Sequence, residues 1–233
     1  MGKRLAASAA GIFCCAMAWS ASAELTANVG VASNYLWRGE TRTGDEAAVS
    51  GGLDYEHHSG LYVGTWTSNI GGEGNQDYEL DLYGGYATRF GNGIGIDLGV
   101  IGYYYPRDTG IDTQGNPIAA NDDDFAEVYL GASYGRVAVR YSYSDDYLNS
   151  GEDAYYAQIG LAYPVTPDLS VGLHYGYKDG DAFDDDGYGD YNVSMTKGGF
   201  TILASDLTDN DKAGQSDNPR VVVFHTPDND LLY

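Results

Sequence analysis

The chain has 233 residues, with 33 Gly and 22 Tyr but only 12 Lys and Arg against 34 Asp and Glu, for a formal charge of -22. So acidic a chain is repelled by phosphate backbones, which excludes nucleic acid as a partner. Gly and Tyr in such excess favour strands joined by tight turns, and an all-β barrel can take up this whole length as one unit.

Residues 1–23 read as an export signal. Lys3 and Arg4 precede an apolar stretch from Leu5 to Trp19, and Ala21-Ser22-Ala23 supplies the small-x-small pattern that predicts cleavage before Glu24. Both cysteines, Cys14 and Cys15, lie inside this segment. The exported chain, 24–233, is therefore expected to carry neither disulfides nor a thiolate metal site. No later stretch approaches the ~20 apolar residues of a spanning helix, so any passage through a membrane must use strands.

From there the sequence alternates with period two, the mark of strands whose two faces meet different surroundings. Twelve such segments are predicted: 25–37, 47–56, 60–69, 78–90, 93–105, 125–134, 136–144, 154–163, 169–178, 188–197, 199–206 and 219–226. In 78–90 one face carries Leu80, Leu82 and Tyr86 and the other Glu79, Asp81 and Arg89. In the next, Ile94, Ile96, Leu98 and Val100 alternate with Gly95, Asp97 and Gly99. A slip of one residue would invert every face, so the register is strongly specified.

The connections alternate between short and long. Short ones surround His57-His58-Ser59, Gly91-Asn92, Gly135, 164–168 and Gly198-Gly199, and long ones run 38–46, 70–77, 106–124, 145–153, 179–187 and 207–218. Short turns on one rim and long loops on the other are the plan of an outer-membrane barrel, with the turns and both termini in the periplasm. Most of the acidic residues fall in or beside the long loops, so the exterior rim is expected to be anionic. Aromatics also group by strand end: Tyr35, Trp37, Tyr78, Tyr103, Tyr105, Tyr141, Tyr143, Tyr155, Tyr175 and Tyr177 near the long loops, and Tyr55, Tyr86, Phe90, Tyr134 and Tyr163 near the short turns. That predicts two belts at two lipid-water interfaces.

The expected fold is thus a closed antiparallel transmembrane β-barrel of about twelve strands, because lipid tolerates no open sheet edge. Closure at that number leaves a bore wider than side chains fill in an eight-stranded barrel. By the alternation Asp54, Glu56, Glu79, Asp81, Arg89, Asp97, Glu127, Arg136, Arg140 and Lys178 point into it. Such a lining either sets a field that favours certain ions or pairs across strands and closes the interior. The competing fold, a soluble β-sandwich, would instead press the Leu, Ile and Val rows together in a dry centre.

Other chemistries find little support. The loop Asp179-Gly180-Asp181-Ala182-Phe183-Asp184-Asp185-Asp186-Gly187 does not have calcium-loop spacing and reads as solvated acid, as does Asp122-Asp123-Asp124. His57 and His58 are adjacent and lack a third ligand, and Ser170 on the face of His174 is a weak hint of hydrolysis. The glycines of Gly91-Asn92-Gly93-Ile94-Gly95 open no helix, so no dinucleotide site is expected. Neither a catalytic residue nor a cofactor is expected.

Several segments resemble the TorF-type porin family of proteobacterial outer-membrane proteins: Ser33-Asn34-Tyr35-Leu36-Trp37-Arg38-Gly39 in the first predicted strand, Gly51-Gly52-Leu53-Asp54-Tyr55-Glu56-His57, Gly60 to Trp66, Glu79 to Tyr86, Glu127 to Gly131, Tyr141 to Asp146, and Arg220 to Val223. The resemblance implies an outer-membrane barrel that passes small solutes or ions by passive diffusion. Its surroundings would be outer-membrane lipid and lipopolysaccharide, and a homo-oligomer of barrels is compatible with it. The alternative is a non-conducting structural or adhesive barrel whose acidic loops bind ligands. The C-terminus departs from the family, since Pro227, which cannot donate to a ladder, stands shortly before the terminal Tyr233.

Overall fold

In a computed structural model, residues 23–71, 77–106, 123–184, 186–216 and 218–225 are described. The signal segment up to residue 22, Asp122, Asp185 and the tail from Thr226 with Pro227 and Tyr233 lie outside them, as does most of the loop 106–124.

Twelve strands form one closed antiparallel barrel. They are β1 (Glu24–Ala32), β4 (Ala48–Glu56), β5 (Leu61–Asn69), β6 (Tyr78–Arg89), β7 (Ile94–Tyr104), β8 (Phe125–Tyr134), β9 (Val137–Ser144), β10 (Ala154–Thr166), β11 (Leu169–Asp179), β12 (Tyr188–Lys197), β13 (Phe200–Leu207) and β14 (Arg220–His225). The two remaining strands, β2 (Leu36–Trp37) and β3 (Glu40–Thr41), pair only with each other. Consecutive barrel strands are neighbours, and the ring closes where β1 meets β14 through Val31 opposite His225 and Ala32 opposite Phe224. Beyond that short ladder Ser33 extends the seam, its amide donating to Val223 O at 2.9 Å and its hydroxyl accepting from Val223 N at 3.0 Å.

The wall is inside out relative to a water-soluble protein. Leu98, Val193 and Ile202 are 57%, 51% and 53% exposed, whereas Glu79, Asp97 and Lys178 are 1%, 3% and 3% exposed. The apolar rows therefore face outward all round, and the dry centre of a sandwich is absent from the described residues. Strand closure supplies every backbone partner that hydrocarbon cannot. Small inward residues give the bore its space, since a Cβ at Gly85 would overlap the ring of Tyr62 and one at Gly99 that of Tyr129.

The first predicted strand, 25–37, stops at Ala32, and its remainder turns into the barrel. Asn34 drives the bend. Its carbonyl oxygen accepts from the hydroxyls of Thr41 and Thr43 at 2.8 and 2.9 Å, and its amide donates to Asp45 at 2.8 Å. At the tip, Arg38 and Gly39 both have positive φ, 52° and 82°, the geometry of a tight two-residue hairpin turn. Gly39 is required twice over, since a Cβ there would also strike Leu207 and Asp190. Of 33–37 only Leu36 and Trp37 are strand, and they belong to a second, internal sheet.

The aromatic belts need one correction. Tyr78, Tyr141 and Tyr175 near the long loops and Tyr86, Tyr134 and Tyr163 near the short turns are exposed on the outer wall. Tyr35, Trp37, Tyr103 and Tyr105 instead lie inside, clustered with Phe125 and Tyr147. Tyr103 shares the parity of Asp97 and Gly99, so the alternation of its own strand assigns it inward whatever its distance from a loop.

The outward register makes a direct prediction. Leu98 sits midway along β7 on the outer face, so Leu98→Arg should cost about 2–4 kcal/mol in lipid vesicles, the depth-dependent cost of a cation on a barrel wall. Urea unfolding in vesicles measures it, and a loss near zero would place Leu98 in water.

Candidate functional site

The hairpin 33–47 occupies the loop side of the bore and is tied to strands around its circumference. Arg38 Nη2 donates to both carboxylate oxygens of Glu127 on β8, at 2.7 Å each. Its guanidinium lies 4.3 Å from the ring centres of both Trp37 and Tyr156, held between two aromatic faces. Arg42 stands 3.8 Å from Glu79 on β6 and 5.4 Å from the rings of Trp37 and Tyr105. The hydroxyl of Tyr35 donates to the other oxygen of Glu79 at 2.6 Å. Glu40 pairs with Lys178 on β11 and accepts from the hydroxyl of Tyr188 on β12 at 2.6 Å. Trp37 completes the attachment, edge-on to Tyr103 at 5.8 Å and stacked near Tyr147 at 6.4 Å.

Burial disfavours the charge on Arg38, but Glu127, Tyr103 and Tyr147 together outweigh it and hold the guanidinium pKa above its ordinary value. For Arg42 burial is likewise outweighed, by Tyr105 and Glu79, with the same upward direction. Both guanidinium groups are therefore charged at any physiological pH.

The charged residues expected to line the bore fall into three groups. Glu79, Asp81, Glu127 and Lys178 are buried around the hairpin. Lower down, Arg140 donates to Asp97 at 2.9 Å with its guanidinium 4.0 Å over Tyr129, and Asp97 also accepts from the hydroxyl of Tyr62 at 2.6 Å. Asp54, half-buried, accepts from Tyr83 at 2.5 Å, and half-buried Glu56 is paired in register with Glu24 at the turn-side end. Arg89 is exposed at that rim and donates to Gly93 O at 2.8 Å. Arg136 is the exception, because it sits exposed in a short turn with its guanidinium 4.4 Å over Tyr163, an outward ring. A turn residue is freed from strand alternation, so parity does not carry to it.

A polar cluster that sequence reasoning missed lies between β10, β11 and β12. The hydroxyl of Tyr156 donates to Asp190 at 2.8 Å and contacts His174 Nε2 at 3.0 Å, and His174 Nε2 lies 2.9 Å from the other oxygen of Asp190. Gly176 makes room for it, because a Cβ there would collide with the Tyr156 hydroxyl. His174 was visible as inward by parity, and Asp190 could have been found the same way. Among the described residues no group of His, Cys, Asp and Glu has the geometry to hold a metal ion. In the acidic loop Lys212 pairs with Asp186, so part of its charge is neutralised within the chain.

Towards the short turns the bore holds a cavity of about 40 Å³, lined among others by Asp97, Arg140, Gln158 and His174 and by Ala132 and Ala138. That is room for a few water molecules. The bore thus holds a cavity on the turn side and is packed by the hairpin on the loop side.

Removing Arg38 leaves Glu127 buried without a counter-charge, so Arg38→Ala should destabilise the barrel by about 3–5 kcal/mol. Adding Glu127→Gln should recover most of that loss, as read from denaturant midpoints in vesicles; no recovery would mean that packing rather than charge explains the cost.

Comparison with known proteins agrees with this geometry. No curated protein matches the sequence. Among solved structures the chain resembles the KdgM porin in complex with disordered oligogalacturonate, at 9% identity and a TM-score of 0.54, over 87% of this chain and 98% of that one. It also resembles the NanC porin, at 9% identity and a TM-score of 0.52, over 86% and 97% of the two chains. At such identity the likeness concerns the fold, a porin-like outer-membrane barrel. The family model that matches, over residues 16–225, bears the description "bacterial protein of unknown function (Gcw_chp)" rather than a TorF-type name. The chain belongs to that Gcw_chp family.

Proposed function

We propose that this protein is an outer-membrane porin that passes small solutes or ions passively through a narrow bore, without catalysis or a cofactor. The observation that carries the reading is the inverted wall, with apolar rows outside and acidic and basic side chains inside a closed ring. The signal-like segment 1–23 supports export to that membrane, where lipid and lipopolysaccharide would surround the outer face, and the TorF-type resemblance fits the same picture. Oligogalacturonate in the KdgM porin is a chain of sugar acids. In this bore Glu40, Glu79, Asp97, Glu127 and Asp190 outnumber Arg38, Arg42, Arg140 and Lys178, which favours cations and neutral solutes over anions.

One observation favours the alternative, a non-conducting barrel: the hairpin packs the loop side of the bore. Recording in planar bilayers separates the two. The folded protein should give small, cation-preferring conductance steps, with reversal potentials in a salt gradient reporting the preference. Arg38→Ala with Glu40→Ala, which unties the hairpin from β8, β11 and β12, should enlarge each step. Absence of steps from both proteins, with folding verified by heat-modifiable gel migration, would remove the porin reading.

A further inference from the structure

The ladder that closes the barrel is the shortest in the wall. β1 and β14 pair at Val31 with His225 and at Ala32 with Phe224, whereas β1 and β4 stay paired down to Glu24 opposite Glu56. Along 25–30 one edge of β1 therefore has no strand beside it among the described residues. The phase of the hydrogen bonds says which groups that edge presents. The Ser33 amide donates to Val223 O across the seam, so by the alternation of antiparallel pairs the odd-numbered residues of β1 turn their N–H and C=O towards β14 and the even-numbered ones towards β4. Leu25, Ala27 and Val29 thus direct backbone groups to the open edge. Leu25 and Val29 are exposed on the outward face together with Leu53 of β4. In a lipid-facing wall only another strand satisfies such groups.

The residues that follow His225 fit that edge. Carried on from Val31 and His225, the register sets Val29 against Pro227, Ala27 against Asn229, Thr26 against Asp230 and Leu25 against Leu231. On β14 Val221 and Val223 face outward while Val222 and Phe224 are buried inward. The same parity would turn Leu231 to lipid beside Leu25 and Asp230 to the bore beside Thr26, so the two sequences agree about which face is wet. Pro227 costs one bond, because it cannot donate to Val29 O, yet its carbonyl can still accept from Val29 N. β13 begins at Phe200, opposite His225, so past that point the far edge of such a strand would run by the Gly198-Gly199 turn at the rim.

We propose that residues 226–231 continue β14 along β1 and complete the seam on the turn side of the wall. The occupant is the chain's own because the open edge begins where His225 leaves the established ladder, and the next residue is delivered to it with no loop to close. A strand from elsewhere would have to displace that continuous neighbour. The seam holds whether or not the bore conducts.

Cysteine cross-linking on the full exported chain tests this, since both native cysteines lie within 1–23. Thr26 and Asp230 fall at a non-hydrogen-bonded pair, where side chains come closest. Thr26→Cys with Asp230→Cys, folded in lipid vesicles and treated with copper phenanthroline, should form an intramolecular disulfide in most molecules. Thr26→Cys with Asn229→Cys should form at least about tenfold less, because Asn229 would point to the opposite face. No disulfide in the first pair, equal yields in the two, or a cross-link joining two chains would each overturn the proposal, the last by seating a second copy on the edge. Amide exchange on the unaltered protein in the same vesicles needs no variant. The amides of Leu25, Ala27 and Val29 should be protected as strongly as those of Thr26 and Asn28, which bond to β4; exchange about a hundredfold faster in the first set would mean an open edge and overturn the seam.

Discussion

Hydrocarbon offers a peptide group no hydrogen-bond partner, and the rest of this structure depends on that constraint. It requires each strand to be paired on both edges, so the sheet must return to β1 even where the joint is short. Once the sheet is closed, alternate side chains have no choice of surroundings. One set meets lipid and the other meets a bore, which explains why Leu, Ile and Val are exposed while Glu, Asp and Lys are buried.

The interior then faces a problem that a soluble protein avoids. Its charges are removed from bulk water without an apolar core to displace them, so each needs a partner close by. The hairpin meets that need on the loop side by carrying two arginines and a glutamate to Glu127, Glu79 and Lys178. Aromatic rings fill the gaps between these pairs, and glycines on the facing strands leave the rings their space. Stability and permeability are consequently coupled, since the contacts that satisfy the buried charges are the contacts that narrow the bore.

On the turn side the balance differs. Asp97 on β7 and Arg140 on β9 pair across the intervening β8 without help from a loop, and the cavity beside them remains. Two layers of charge result, one self-contained in the wall and one completed by an inserted segment. The second layer brings Glu79, Asp81 and Glu127 together beside the inserted segment.

Period-two alternation by itself determined the strand count, the outward rows and the inward lie of Glu79, Asp81, Asp97 and Glu127, because pleating forces neighbouring side chains to opposite faces. Regular spacing of turns and loops likewise determined which rim was which. Only the tertiary structure decided that 33–37 leaves the wall, since an internal hairpin has the same local period as a wall strand and differs only in its partner. It also decided which charges meet. Arg38 and Glu127 are 89 residues apart, and no local pattern specifies that a loop cation will reach a particular strand. Arg136 and Tyr103 mark the boundary between the two kinds of knowledge: parity was sufficient for Tyr103 within its strand and ceased to apply at the turn that holds Arg136.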